Sequence, residues 1–129
     1  MPITYQIDRE LGLIRTRCVG DVPFREVAAH FQQLARDSSL PFPLDVLLDL
    51  TALESVPESD KLRAAAREVE LAQKAVTWGS CAIVARGDLL FGIGRVFQAF
   101  SQQHFVHSNV FRAQDEAERW LASLRSLRP

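Results

Sequence analysis

The sequence predicts an α/β fold: a mixed, mostly parallel sheet of about five strands covered by four helices, opened by an antiparallel hairpin. Three observations carry that expectation. Two runs near the start alternate apolar and polar residues, two later runs (45–50 and 81–85) are apolar without alternation, and amphipathic helical stripes separate and follow them.

Taken in order, Ile3, Tyr5 and Ile7 alternate with Thr4, Gln6 and Asp8, as in a strand with one wet face. Gly12 marks a turn, and Ile14, Thr16 and Cys18 then alternate with Arg15 and Arg17, completing a hairpin. Asp21-Val22-Pro23 suits a helix start, and Phe24, Val27, Ala28, Phe31, Leu34 and Ala35 form one stripe. His30, beside Phe31, is read as solvated. Pro41 and Pro43 end that helix. Residues 45–50, which do not alternate, read as a central strand covered on both faces. Ser59 or Asp60 is placed to cap the second helix, whose stripe is Leu62, Ala65, Ala66, Val69, Ala72 and Val76. Residues 81–85 form another buried strand, and 86–88 turn into a third helix with Leu89, Ile93, Val96, Phe97 and Phe100 on one side. Residues 106–112 read as the last strand. Ala117, Trp120, Leu121 and Leu124 define a final helix, begun by Asp115 and Glu116. The expected organisation is one domain over residues 1–129.

Composition narrows the function classes. A chain of 129 residues can bury about two-thirds of its surface, enough for one core. With 47% hydrophobic and 24% charged residues it is neither disordered nor collagen-like. Fifteen Lys and Arg against sixteen Asp and Glu leave a net charge of −1, without the basic field of a dedicated nucleic-acid binder. Cys18 and Cys81 lack CxxC or metal-finger spacing and read as reduced, buried small hydrophobes. No basic-then-apolar leader opens the sequence and no long apolar run follows, so the expected location is cytoplasmic, with no transmembrane segment.

Chemistry-bearing motifs are few. His104 and His107 have no Asp, Glu or Cys between residues 88 and 115 to complete a metal set, so no metal or cofactor is expected. There is no GxSxG elbow. Gly92 and Gly94 lack the third glycine of a dinucleotide loop, since Phe97 stands in its place; they read as glycines that let a helix start or pack closely against a neighbour. No catalytic set is assigned. Asp45, Asp49, Glu54, Glu58 and Asp60 cluster in sequence around the central strand's end, and the same stretch carries Thr51, Ser55 and Ser59. These three hydroxyls are the phosphorylation candidates, because a phosphate there would meet a helix N-terminus. Asp49, Glu54 and Asp60 are the candidate partner surface. Five of eight phenylalanines lie within residues 91–111. Phe91 lies about 200° around the wheel from Leu89, so it reads as lying in the preceding loop or exposed. With Gly92, Arg95 and Phe97 it forms the candidate interface or lip of an apolar pocket.

The hairpin, the Val46-Leu47-Leu48-Asp49-Leu50-Thr51 strand leading to a Ser-bearing loop, the Leu90-Phe91-Gly92-Ile93-Gly94-Arg95-Val96-Phe97 stretch and the closing segment 111–121 together resemble the SpoIIAA-like group. That group is close to the STAS and SEC14-like (CRAL-TRIO) domains. The resemblance implies a non-catalytic regulatory module that binds a partner protein or a second copy of itself. Its alternative implication is a binder of a small apolar or lipid-like ligand, placed in the Phe-rich 91–111 region. It also implies a phosphorylated serine in the loop after the central strand, where this chain offers Ser55 or Ser59 without the preceding Asp or following Gly.

Overall fold

A computed structural model describes residues 2–128. Strands β1 (Ile3–Asp8) and β2 (Leu13–Gly20) form the hairpin, joined through Gly12, whose φ of 65° lies in the region glycine tolerates best. Helix α1 (Phe24–Ala35), strand β3 (Leu44–Leu53), helix α2 (Ser59–Ala72), strand β4 (Trp78–Val84), helix α3 (Asp88–Ser101), a 3-10 turn at Gln102–His104, strand β5 (Ser108–Phe111) and helix α4 (Gln114–Arg125) follow. The sheet order is β1-β2-β3-β4-β5; β1 runs antiparallel to β2 and every other pairing is parallel. This is the mixed α/β sheet that the sequence predicts. The two non-alternating strands are neighbours, and every residue of β4 is buried.

The sheet has unequal faces. Ile14, Cys18, Leu50, Cys81 and Ile83 point toward α1, α2 and α3 within the larger apolar cluster. Leu13, Leu47, Ala82 and Val84 point the other way and pack on Ala117 and Leu121 of α4. Gly94 lets α3 approach β4 and β5 closely: a Cβ there would lie 3.1 Å from Val110 and 3.3 Å from Ile83.

Several expectations are corrected. Strand β3 extends to Leu53, so Thr51 lies in a strand rather than a loop. Asp45 sits at the strand's opposite end from the Ser-bearing loop, fully buried. Glu58, not Ser59 or Asp60, occupies the cap position of α2, and no side chain caps it. The buried side of α3 is rotated from the expected stripe, leaving Leu89 62% exposed and Val96 at the surface. Phe91 lies inside α3, half-buried, with the Arg112 guanidinium 4.1 Å from its ring centre. His30 is buried, not solvated. The last strand is shorter than expected, because residues 106 and 107 precede it.

Candidate functional site

A cavity of about 380 Å³ lies between α1, α2 and the sheet. Its floor is Ile14, Thr16 and Cys18 of β2 with Val46, Leu48 and Leu50 of β3; Phe31 and Leu34 of α1 and Leu62, Ala65 and Val69 of α2 form its sides. The back wall is Trp78, Phe97 and Phe105. Alternation explains the floor, since every second residue of β2 and β3 faces the helices. Val46 and Leu48 lie mid-strand in the middle strand of the sheet, yet both are only partly buried, because they face empty space rather than a helix. Helix α1 stands off the sheet: only His30 and Leu34 among its residues are buried.

The mouth lies outside the carboxyl ends of the parallel strands β2 and β3, where ligand sites form in open α/β sheets. Residues 21–24, leading into α1, and 55–58, leading into α2, frame it. Asp21, Glu58 and Lys61 stand at this rim with the exposed Val56. The two loops are tied where the Val22 N–H donates to Ser55 Oγ at 3.4 Å.

The side chains that bring heteroatoms to the wall include Cys18, Cys81, Thr16 and His30. Burial, with the Asp49 charge as a smaller cause, pushes the Cys18 thiol up to about 11, so it remains protonated at neutral pH. His30 packs edge-on against Tyr5 and Phe31, each ring centre 5.2 Å away, and burial pushes its imidazole down to about 4. Thr16 is almost wholly buried on the floor. The site therefore presents a neutral, largely apolar interior, and a protonated buried thiol is no nucleophile.

The candidate residues divide between this cavity and other places. Ser55 is on the rim, while Ser59 begins α2, exposed beside it. Glu54 and Asp60 are exposed near the mouth without lining it. Thr51 and Asp49 are held to one another: the Thr51 hydroxyl and N–H donate to Asp49 Oδ1 at 2.6 and 2.8 Å. Asp49 also lies 3.7 Å from Arg17, in a polar groove with Thr4, Gln6 and Arg15. Neither belongs to the loop surface expected for them. Phe97 reaches the back wall, whereas Gly92 and Arg95 are exposed on α3 and Phe91 lies under Arg112. The apolar space thus lies mainly between α1 and α2, and the 91–111 region supplies only its back.

Sequence reading misses His30, because its apolar neighbours belong to α1's inner face and helical spacing alone does not show how closely that face packs. Among the described residues, no group of three or more His, Cys, Asp or Glu gathers in a metal-holding arrangement, and no helix is long and apolar enough to cross a membrane.

In sequence, the chain matches no family model and no curated protein. In structure it is similar to an uncharacterised protein of the DUF3478 family with a SpoIIAA-like fold from Shewanella loihica PV-4. The TM-score is 0.59 at 20% identity, over 92% of this chain and 93% of that one. That likeness supports the SpoIIAA-like side of the resemblance and gives the SEC14-like side no support. The chain has a SpoIIAA-like α/β fold.

Proposed function

We propose that this protein is a non-catalytic binding module whose cavity between α1 and α2 takes a small apolar ligand. The observation that carries the reading is the incomplete burial of Val46 and Leu48 in the middle of the sheet. Interiors normally pack to crystal-like density with few voids larger than a water molecule. A volume of about 380 Å³ falls within the range of small-molecule pockets, roughly 300–1,000 Å³. Its lining is apolar with a few polar groups, the usual composition of such sites. Native mass spectrometry and solvent extraction of the purified protein test the reading. An apolar molecule retained at near-stoichiometric level, and lost on denaturation, is expected. Protein that purifies empty and gains no stability from added nonan-1-ol contradicts it.

A second reading, regulation through a protein partner or a second copy of the chain, is favoured by the outer face of α3. There Leu89, Gly92 and Val96 line up at helical spacing in solvent beside Arg95. Light scattering checks it: a mass that rises with concentration and falls back in Val96→Asp supports self-association, whereas a constant monomer mass excludes it.

A further inference from the structure

The polar end of the cavity narrows the ligand class, given the reading of this cavity as a ligand site. The His30 side chain lines the space, is 9% exposed, and makes no hydrogen bond among the described residues. Its ring nitrogens keep accessible surface, so an imidazole unpaired within the protein on the wall of the space can take a ligand partner there. Thr16 lies at the same end: Tyr5, whose ring contacts His30, is the cross-strand partner of Thr16. Among the described residues no Lys or Arg lines the interior, and the mouth carries Asp21 and Glu58 against Lys61. An anionic headgroup would lose its hydration there without gaining a buried cation.

We infer that the cavity selects an uncharged amphiphile bearing a single hydroxyl group, held by the His30 imidazole. A neutral imidazole offers one donor and one acceptor, and a hydroxyl can meet either; a carboxylate only accepts and an ammonium only donates. The alkyl or aryl part lies toward Trp78, Phe97 and Phe105, which close the other end. At about 30 Å³ per water-sized volume, about 380 Å³ holds a ligand of roughly a dozen non-hydrogen atoms.

Titration calorimetry at pH 7.5 with nonan-1-ol, nonanoate and 1-chlorononane separates the possibilities. The alcohol binds wild type most tightly. His30→Phe weakens the alcohol about 3- to 10-fold, the worth of one hydrogen bond, and leaves 1-chlorononane within about twofold; His30→Gln restores part of the alcohol's affinity. Binding of 1-chlorononane to each variant shows that the cavity is intact. Equal affinity of alcohol and chloride for wild type, or equal weakening of both by His30→Phe, overturns the role of His30 while the cavity reading stands. Tightest binding by nonanoate overturns the uncharged class. Failure of all three probes removes the cavity reading and this inference with it.

Discussion

The two faces of the sheet solve the same problem differently. On the α4 face one helix covers one narrow strip, and the fit is dry: Leu13, Ala82 and Ala117 are fully buried, with Leu47 and Leu121 at 1% exposure. That face is also bolted electrostatically. The buried Asp45 carboxylate accepts from the Ser80 N–H at 2.8 Å and from Arg128 at 2.6 Å, with Arg125 at 3.6 Å. Gly79 is required there, because any Cβ would overlap the Asp45 carboxylate. Arg15 grips Glu118 through two hydrogen bonds of 2.8 and 2.9 Å, which raises the arginine and holds the Glu118 carboxyl below its usual range. On the opposite face three helices share a wider surface, α1 lies off the strands, and space remains between α1 and α2. The α4 face spends its contacts on rigidity; the α1–α2 face leaves contacts unmade that a ligand can complete.

Breaking the bolted face has the largest expected effect. Asp45→Ala strands two arginines beside a buried backbone N–H and destabilises the fold by about 3 kcal/mol, the size seen when one partner of a buried pair is removed. Urea unfolding monitored by circular dichroism measures it; a change below about 1 kcal/mol means that the pair is decorative.

Acid probes the open face. The His30 imidazole titrates near 4 in the fold against about 6.5 in the unfolded chain. The unfolded state therefore takes up the proton first as pH falls. The stability His30 contributes is complete above about pH 6.5 and is lost progressively down to about pH 4. Between pH 7.5 and pH 5 the loss is about 2 kcal/mol, and it is absent from His30→Phe. Equal pH dependence in both proteins over that interval assigns the loss elsewhere.

One substitution made on each face sharpens the contrast. Ala117→Phe forces a ring into the dry contact of α4 with Leu13 and Leu47 and costs about 2 kcal/mol. Ala65→Phe projects the same ring into the cavity and raises stability by about 1 kcal/mol. If both variants lose stability equally in thermal unfolding, the two faces are packed alike.

Much of the sheet was legible because its signals are local. Period-two runs set the hairpin and the unbroken apolar run 81–85 marked β4 as covered on both sides, whereas α1 ends at Ala35, well before the prolines expected to stop it. The site was less legible because it depends on how far apart elements stand. The spacing of Phe24, Val27 and Phe31 shows which side of α1 is apolar; it carries no information on whether that side meets a strand or a void. The same limit displaced Asp45 and Thr51, which lie near the loop in sequence, while β3 carries one to the far end of the sheet and turns the other away from the mouth. It also displaced Phe91, because Arg112 covers its ring from the far end of β5.

The central claim, that the α1–α2 face is built with room for an apolar guest, meets its most direct test in thermal unfolding of wild type and Ala65→Phe across a nonan-1-ol titration. Ligand that binds only the folded state raises the unfolding midpoint with concentration. Wild type should climb steadily while Ala65→Phe, stabler at the outset, stays flat. A flat wild-type curve, or parallel rises in the two proteins, would contradict the account.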